Sequence, residues 1–248
     1  MKIRVLGYYG GFPAKGIGTS GYLLTSGNYR LLIDCGSGVL LELEKYLDPI
    51  KLSAVILSHY HHDHTADVGV LQYYWQLHPK NRKEPVLPIY GNTEDPLNFG
   101  GLTWMHSTKG VGYSATSRLT LGPLTITFQR THHPVPAFAM RIVERRTNQT
   151  LVFTADSNYF DQLAKFAKNA DLLITDTNCY ASQNQITPRW HMTSTECGEL
   201  ARKANCKHLL LSHLPQFGDL NQLVKEAQQA SGQGVKIELA KLGKLIQL

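Results

Sequence analysis

The stretch Leu57–Asp67, LSHYHHDHTAD, carries four histidines and two aspartates in eleven residues. Imidazole and carboxylate side chains seldom crowd into an apolar core, because each loses water there and must be repaid by a polar partner. Together they form the donor set that zinc prefers and that manganese or iron also accepts. His59, His61, Asp63 and His64 are the candidate ligands. On one continuous strand, residues 59, 61 and 63 would share a face. In a turn the donors diverge, so that 59 and 61 face one ion while 63 and 64 face another. His62 then points elsewhere, and Asp67 supports the helix that follows, since an acid near a helix N-terminus is favourable.

The same coincidence recurs along the chain. AVILS ends at His59, LTITFQR ends near His132 and His133, LVFTA ends at Asp156, and LLLS ends at His213. Loops beyond strand ends are where sites gather in α/β folds. These donors exceed the needs of one ion. Two ions about 3.5–4 Å apart would share a carboxylate and a hydroxide. Asp156 is the natural bridge, because a carboxylate has two oxygens whereas an imidazole offers a metal one nitrogen.

The elements that must position these residues follow from apolar patterning. KIRVLGY reads as a strand entering a glycine-rich loop, and YLLTS and YRLLIDCG as strands joined in a tight hairpin at Gly27–Asn28. SGVLLELEKYL reads as a helix with Ser37 as N-cap, closed by Pro49, and LSAVILSH as a strand covered on both faces. Residues 65–77 read as a helix and VLPIY as a strand, whereas 91–118 carry few signals. The strands LTITFQRTHH, PAFAMRIVE and TLVFTADS come next, then the helix NYFDQLAKFAKNA and the strand DLLITD. TSTECGELARKANC reads as a helix capped by Thr193 or Ser194, with Glu196 as a first-turn acid. KHLLLSHLP, DLNQLVKEAQQA and GVKIELA complete the pattern as strand, helix and strand. Strands then helices in alternation predict one α/β domain over 1–248, with helices outside.

The 248 residues are 42% hydrophobic and 18% charged, which excludes a disordered chain. The net charge of +6 favours an anionic partner, although ERR at 144–146 and RKANCK at 202–207 read as solvated faces. Cys35, Cys179, Cys197 and Cys206 have neither a close C-x2-C spacing nor any arrangement that suggests disulfides. There is no apolar leader before the first glycines and no run long enough to span a membrane, so a soluble cytoplasmic protein is the expectation.

At this point the motifs resemble a known family. HYHHDH looks like the H-x-H-x-D-H signature of the metallo-β-lactamase fold superfamily, and the resemblance covers essentially the whole chain. LLIDCG resembles the strand preceding the family's first helix, with Asp34 as the acid that would orient the histidine loop. His133 in THHPVPAFAMRI, Asp156 in FTADS (where relatives commonly have Gly-Asp-Thr) and His213 in LSHL follow in the family's order. The resemblance implies an αββα sandwich of two mixed sheets with outer helices. It implies two divalent ions, Zn2+ or else Mn2+ or Fe. One would take His59, His61 and His133, the other Asp63, His64 and His213, with Asp156 bridging. His132 competes with His133 for its place.

The loop GGFPAKGIGTSGYLL, the RI after the third motif and HMTS at 191–194 resemble the branch of ribonuclease Z and the cyclic phosphodiesterases. There His191 matches the histidine over the scissile phosphate, where a group of pKa near 6.5 can protonate a leaving alkoxide. Only 22 residues separate His133 from Asp156, so the long tRNA-binding arm of that branch is missing. No cysteine precedes Cys35, a departure from relatives with a cysteine-based zinc site. The expected activity is hydrolysis of a small or cyclic phosphodiester, with a metal-bridging hydroxide as nucleophile and Asp63 and His191 as catalytic side chains. An RNA 3′-processing nuclease, a thiolesterase or lactonase on the same centre, and a non-enzymatic metal or ligand sensor are the alternatives. The resemblance also implies a homodimer. Phe99, Trp104 and Tyr113 either wall the site or pack their loop on the domain or a dimer partner. Arg141 either orients site residues or serves a surface salt bridge.

Overall fold

KIRVLG alternates apolar and polar residues at its start, whereas AVI and LLITD are buried throughout. In chain order the elements are β1 (Lys2–Gly7), β2 (Gly21–Ser26), β3 (Tyr29–Ile33), α1 (Val39–Leu43), β4 (Ala54–Ile56), α2 (His62–Thr65), α3 (Val68–Leu77), β5 (Leu87–Asn92), α4 (Pro96–Gly100) and β6 (Thr108–Tyr113). They continue with β7 (Arg118–Leu121), β8 (Leu124–Arg130), β9 (Phe138–Glu144), β10 (Thr150–Phe153), α5 (Asp161–Phe166), β11 (Leu172–Asp176), α6 (Ser194–Lys203), β12 (His208–Ser212), α7 (Leu220–Ser231), β13 (Lys236–Leu239) and β14 (Leu245–Gln247). The computed structural model describes residues 1–78 and 80–248. Two compact units emerge, 1–114 with 241–247, and 115–240 with 248.

The first unit is built on a seven-stranded mixed sheet of order β14-β1-β2-β3-β4-β5-β6. Its β2–β3 hairpin closes through Gly27–Asn28, with Ser26 opposite Tyr29 and Gly27 at a φ of 54° that suits glycine. Strands β3 to β6 run parallel, and Leu32, Val55, Leu71, Trp75 and Ile89 fill the core beside them. The β6 strand, TKGVGY, is absent from the apolar pattern because two of its six residues are glycines, beside which neighbouring side chains sit close. A Cβ at Gly112 would meet Thr93 Cγ2 at 2.5 Å.

Two local expectations change. Helix α1 begins at Val39 behind Gly38, which sits at φ 80° and provides no side-chain cap. Ser37 is occupied instead, its amide donating to Thr19 Oγ1 and its carbonyl accepting from the Thr19 amide. The expected helix over 65–77 is α3, which starts only at Val68, and Thr65 belongs to the preceding short helix α2. The break falls at Asp67, whose amide donates to the Cys35 carbonyl. The Asp67 carboxylate supports α1, accepting from the Leu40 amide at 3.0 Å, and makes no cap on α3.

The second unit carries the other seven-stranded sheet, of order β13-β12-β11-β10-β9-β8-β7. Strands β7 to β10 are antiparallel neighbours, and β10 to β13 are parallel. Residues 172–176 of β11 are buried throughout, as expected for a parallel strand covered on both faces. Of the two cap candidates in TSTE it is Thr193 that caps α6, and the expected first-turn acid Glu196 closes a reciprocal box with it. The whole is an α/β fold with two mixed sheets and accompanying helices.

Candidate metal centre

In the first unit the loop after β4 carries the clustered donors. His59 follows the buried strand, His61 is the extended residue before α2, and Asp63 and His64 occupy that helix's single turn. The strand geometry that would align 59, 61 and 63 is thereby broken. Asp34 holds the loop from below. It is fully buried, sits at φ 55° after β3, and accepts from the Ser58 amide at 2.7 Å, Ser58 Oγ and Ser20 Oγ at 3.0 Å, and His64 Nδ1 at 2.7 Å. An ionised carboxylate only accepts, so the His64 proton is on Nδ1 and the lone pair that a metal could take is on Nε2. Ser58 Oγ donates to Asp34, so it accepts from His59 Nδ1 at 3.0 Å.

Asp63 Oδ2 accepts from the Gly11 amide at 2.7 Å, which ties the glycine-rich loop to the cluster. Gly36 lets the backbone of α2 pack closely behind β3, since a Cβ there would meet the Asp63 carbonyl at 2.0 Å. Two nitrogens bound to one tetrahedral zinc with bonds of 2.0–2.1 Å stand about 3.3 Å apart. His59 Nε2 and His61 Nδ1 are separated by 3.2 Å, and His64 Nε2 lies 3.5 Å from Asp63 Oδ2. These spacings fit side chains meant to share ions. His62 is exposed, as expected of the residue that turns away.

In the second unit the donors again follow strand ends. Asp156 comes after β10, and His213 after β12, at φ 51°. His213 Nε2 stands 3.3 Å from Asp156 Oδ2, and His133 Nε2 stands 3.8 Å from the same oxygen. His132 and His133 separate cleanly: His132 is exposed and stacks on Phe160 at 4.2 Å, whereas His133 turns toward Asp156.

Asp176, at the end of β11, was missed in the sequence although DLLITD ends in a metal-competent residue just as the other strands do. It is 1% exposed. It accepts from the Ser157 amide at 3.0 Å, His191 Nδ1 at 2.8 Å and His213 Nδ1 at 3.2 Å. Burial opposes its charge, but the two histidines beside it outweigh burial and hold its carboxyl below the usual range. The ligand atoms of Asp156, Asp176, His191 and His213 all lie within 4.8 Å of one another.

His191 keeps 27% of its side chain exposed and stacks on His213 at 5.2 Å, with Asp156 Oδ2 4.0 Å from its Nδ1. Burial works against its protonation, yet the Asp176 carboxylate prevails and raises its pKa. It lies two residues before the α6 cap Thr193, outside the capping box itself.

A family model described as a β-lactamase superfamily domain matches residues 29–214. The chain belongs to the metallo-β-lactamase superfamily. A Bacillus subtilis protein described as a probable metallo-hydrolase, YhfI, is 50% identical over 229 residues, covering 92% of this chain and 93% of that protein. The crystal structure of the metallo-β-lactamase fold protein YhfI superposes with a TM-score of 0.92 at 47% identity, covering 99% and 98% of the two chains. A Natronomonas pharaonis ribonuclease Z is 24% identical over 292 aligned positions, covering 94% and 93%. The chain is a metal-dependent hydrolase of this fold, and it bears two clusters of metal donors consistent with the dinuclear centre typical of such metallo-β-lactamase hydrolases.

The remaining candidates take structural places. Tyr113 is buried and donates to the Leu57 carbonyl at 2.6 Å, bracing the strand exit before His59. Trp104 lies against Tyr73 and donates to Gln76 Oε1, and Phe99 packs on the first unit's core. This is the loop-packing alternative for 98–113. Arg141 Nη1 donates to the Phe166 and Lys168 carbonyls at the end of α5. All four cysteines are free and buried, and no helix among the described residues is long and apolar enough to cross a membrane.

Proposed function

We propose that the protein hydrolyses a small or cyclic phosphodiester. The observation that carries the reading is the Asp176–His191 pair at the edge of the metal donors. Because Asp176 takes the proton on Nδ1, the partly exposed ring presents Nε2 toward substrate. A protonated imidazole there delivers its proton to a departing alkoxide, and its raised pKa keeps that form populated toward neutrality.

In this reading His59, His61 and His133 would hold one divalent ion and Asp63, His64 and His213 the other, with Asp156 serving both. The ions, when bound, polarise the phosphoryl oxygens and supply a water of low pKa. Asp34 and Asp176 fix the rings, and the Gly11 amide fixes Asp63. Zinc as the ion, a homodimer as the assembly, the cytoplasm as the compartment and residues 1–248 as one functional domain belong to the same reading.

Two observations favour a small substrate over RNA processing. The β9–β10 connection is a tight turn in which Glu144 accepts from the Thr147 amide and hydroxyl, which leaves no room for an arm. The link to the relative named a ribonuclease is distant, although it supports phosphorus over carbonyl chemistry. Turnover of bis(p-nitrophenyl) phosphate with zinc or manganese, beside a thioester and a lactone, tests the reading. Hydrolysis of the carbonyl substrates alone would refute it. His191→Ala should abolish most phosphodiester turnover with metal content nearly intact.

A further inference from the structure

The second sheet carries a cationic groove that the metal centre does not use. Arg118 of β7 pairs with Thr127 of β8, and Thr127 pairs with Arg141 of β9, so the three stand in one row on one face. Thr125 and Val143 form the next row, and Arg145 and Asn148 close the end at the β9–β10 turn. Neighbouring strands lie about 4.8 Å apart, which places the outer two arginine backbones of the row about 10 Å from each other. Together these seven residues line a groove of about 450 Å³. Asn148 precedes β10 and Asp156 follows it, so the groove and the metal donors occupy opposite ends of that strand.

The lining holds three guanidinium groups and no carboxylate. Arg141 is anchored on the Phe166 and Lys168 carbonyls, and Arg145 Nη2 on the Gly122 carbonyl at 2.6 Å. Asp171 is the acid that acts on Arg141, but its oxygens serve Lys207 Nζ at 2.7 Å and the Thr150 amide at 2.8 Å. Three like charges in one half-enclosed groove repel unless an anion joins them. Guanidinium forks match phosphoryl oxygens in pairs, and the threonine hydroxyls add donors. No aromatic side chain is present to stack on a base, as single-strand nucleic-acid surfaces require. The volume falls in the range of small-molecule pockets, roughly 300–1,000 Å³.

We propose that this groove is a second anion site that binds a small phosphorylated molecule through Arg118, Arg141 and Arg145. Equilibrium dialysis of the metal-loaded protein against labelled orthophosphate at low ionic strength tests it. The expected result is a class of site that survives metal removal and is lost in Arg118→Gln/Arg145→Gln. Metal content and melting temperature stay unchanged in that variant. Arg118→Gln alone, an exposed side chain on an edge strand, should weaken this class tenfold or more and guards against a folding defect in the double variant. Any metal-dependent class reports on the proposed catalytic centre and is judged separately. Absence of a metal-independent class, or its persistence in both variants, overturns the proposal. So does tight binding of a single-stranded RNA 12-mer at these arginines that orthophosphate does not compete, which would make the groove a nucleic-acid surface.

Discussion

Asp176→Asn isolates what the second unit's buried carboxylate does. Asparagine keeps the shape and can still accept from the Ser157 amide, but it removes the charge from two histidine contacts, 2.8 Å to His191 and 3.2 Å to His213. Hydrogen bonds to charged groups contribute about 1.5–3 kcal/mol each. At about 1.4 kcal/mol per factor of ten, losing the His191 contact should cut phosphodiester turnover about tenfold to a hundredfold. Outer partners of metal-binding histidines are worth a similar 10- to 100-fold in metal affinity, so in the proposed centre the ion assigned to His213 should be held correspondingly more weakly. The pH profile gives a separate readout. Burial lowers the His191 pKa and Asp176 raises it, with a net rise. As proton donor His191 is active when protonated, so activity falls as pH rises through its pKa. Without the Asp176 carboxylate only the more distant Asp156 still opposes burial, and that alkaline limb moves to lower pH. Steady-state rates across pH at saturating metal, with metal titration by calorimetry, provide the assay. An unmoved limb with unaltered metal affinity would refute the assignment of Asp176 as the group that sets both rings.

Other substitutions address separate links. His133→Ala should lose metal and at least a hundredfold in turnover while His132→Ala keeps both, because only His133 turns to Asp156; metal analysis and rates of the two variants decide it. Gly36→Ala forces a methyl against the Asp63 carbonyl at 2.0 Å and Thr19 Oγ1 at 2.3 Å, and should cost about 1–3 kcal/mol together with metal content, measured by denaturant unfolding and metal analysis. Thr193→Ala removes the α6 cap and should cost about 1 kcal/mol, a fall of about 2–4 °C in melting temperature.

The donors were legible because each follows an apolar strand, and a run of buried residues ending in histidine or aspartate is a local pattern. Asp34, His59, His191 and His213 were all reached this way or through the family motifs. Asp176 follows the same pattern yet was passed over, since its role is visible only when His191 and His213 arrive from 15 and 37 residues away. In the sequence the family pattern alone favours His133 over His132, and the physical reason for the difference is Phe160, which stacks on the His132 ring while His133 turns to Asp156. Helix boundaries were less legible. The α1 start and the Asp67 break are set by Thr19 and Cys35, contacts that no periodicity encodes. Strand β6 escaped because two of its six residues are glycines, which break the hydrophobic alternation, with the side chains of Thr93 and Leu102 close beside them.

The fixed protons of the histidine rings have a consequence for how metal enters. His64 and His213 each give Nδ1–H to a buried carboxylate, and His59 gives its own to Ser58. In the proposed centre each ring is therefore already the tautomer a metal needs, and acid and metal would compete for the same Nε2 lone pair. Loading should need no rearrangement of the rings, only the departure of whatever protons the medium has placed there. The heat of zinc binding, measured near pH 6 in buffers of different ionisation enthalpy, should then scale with buffer, and the slope counts the protons that the ions displace.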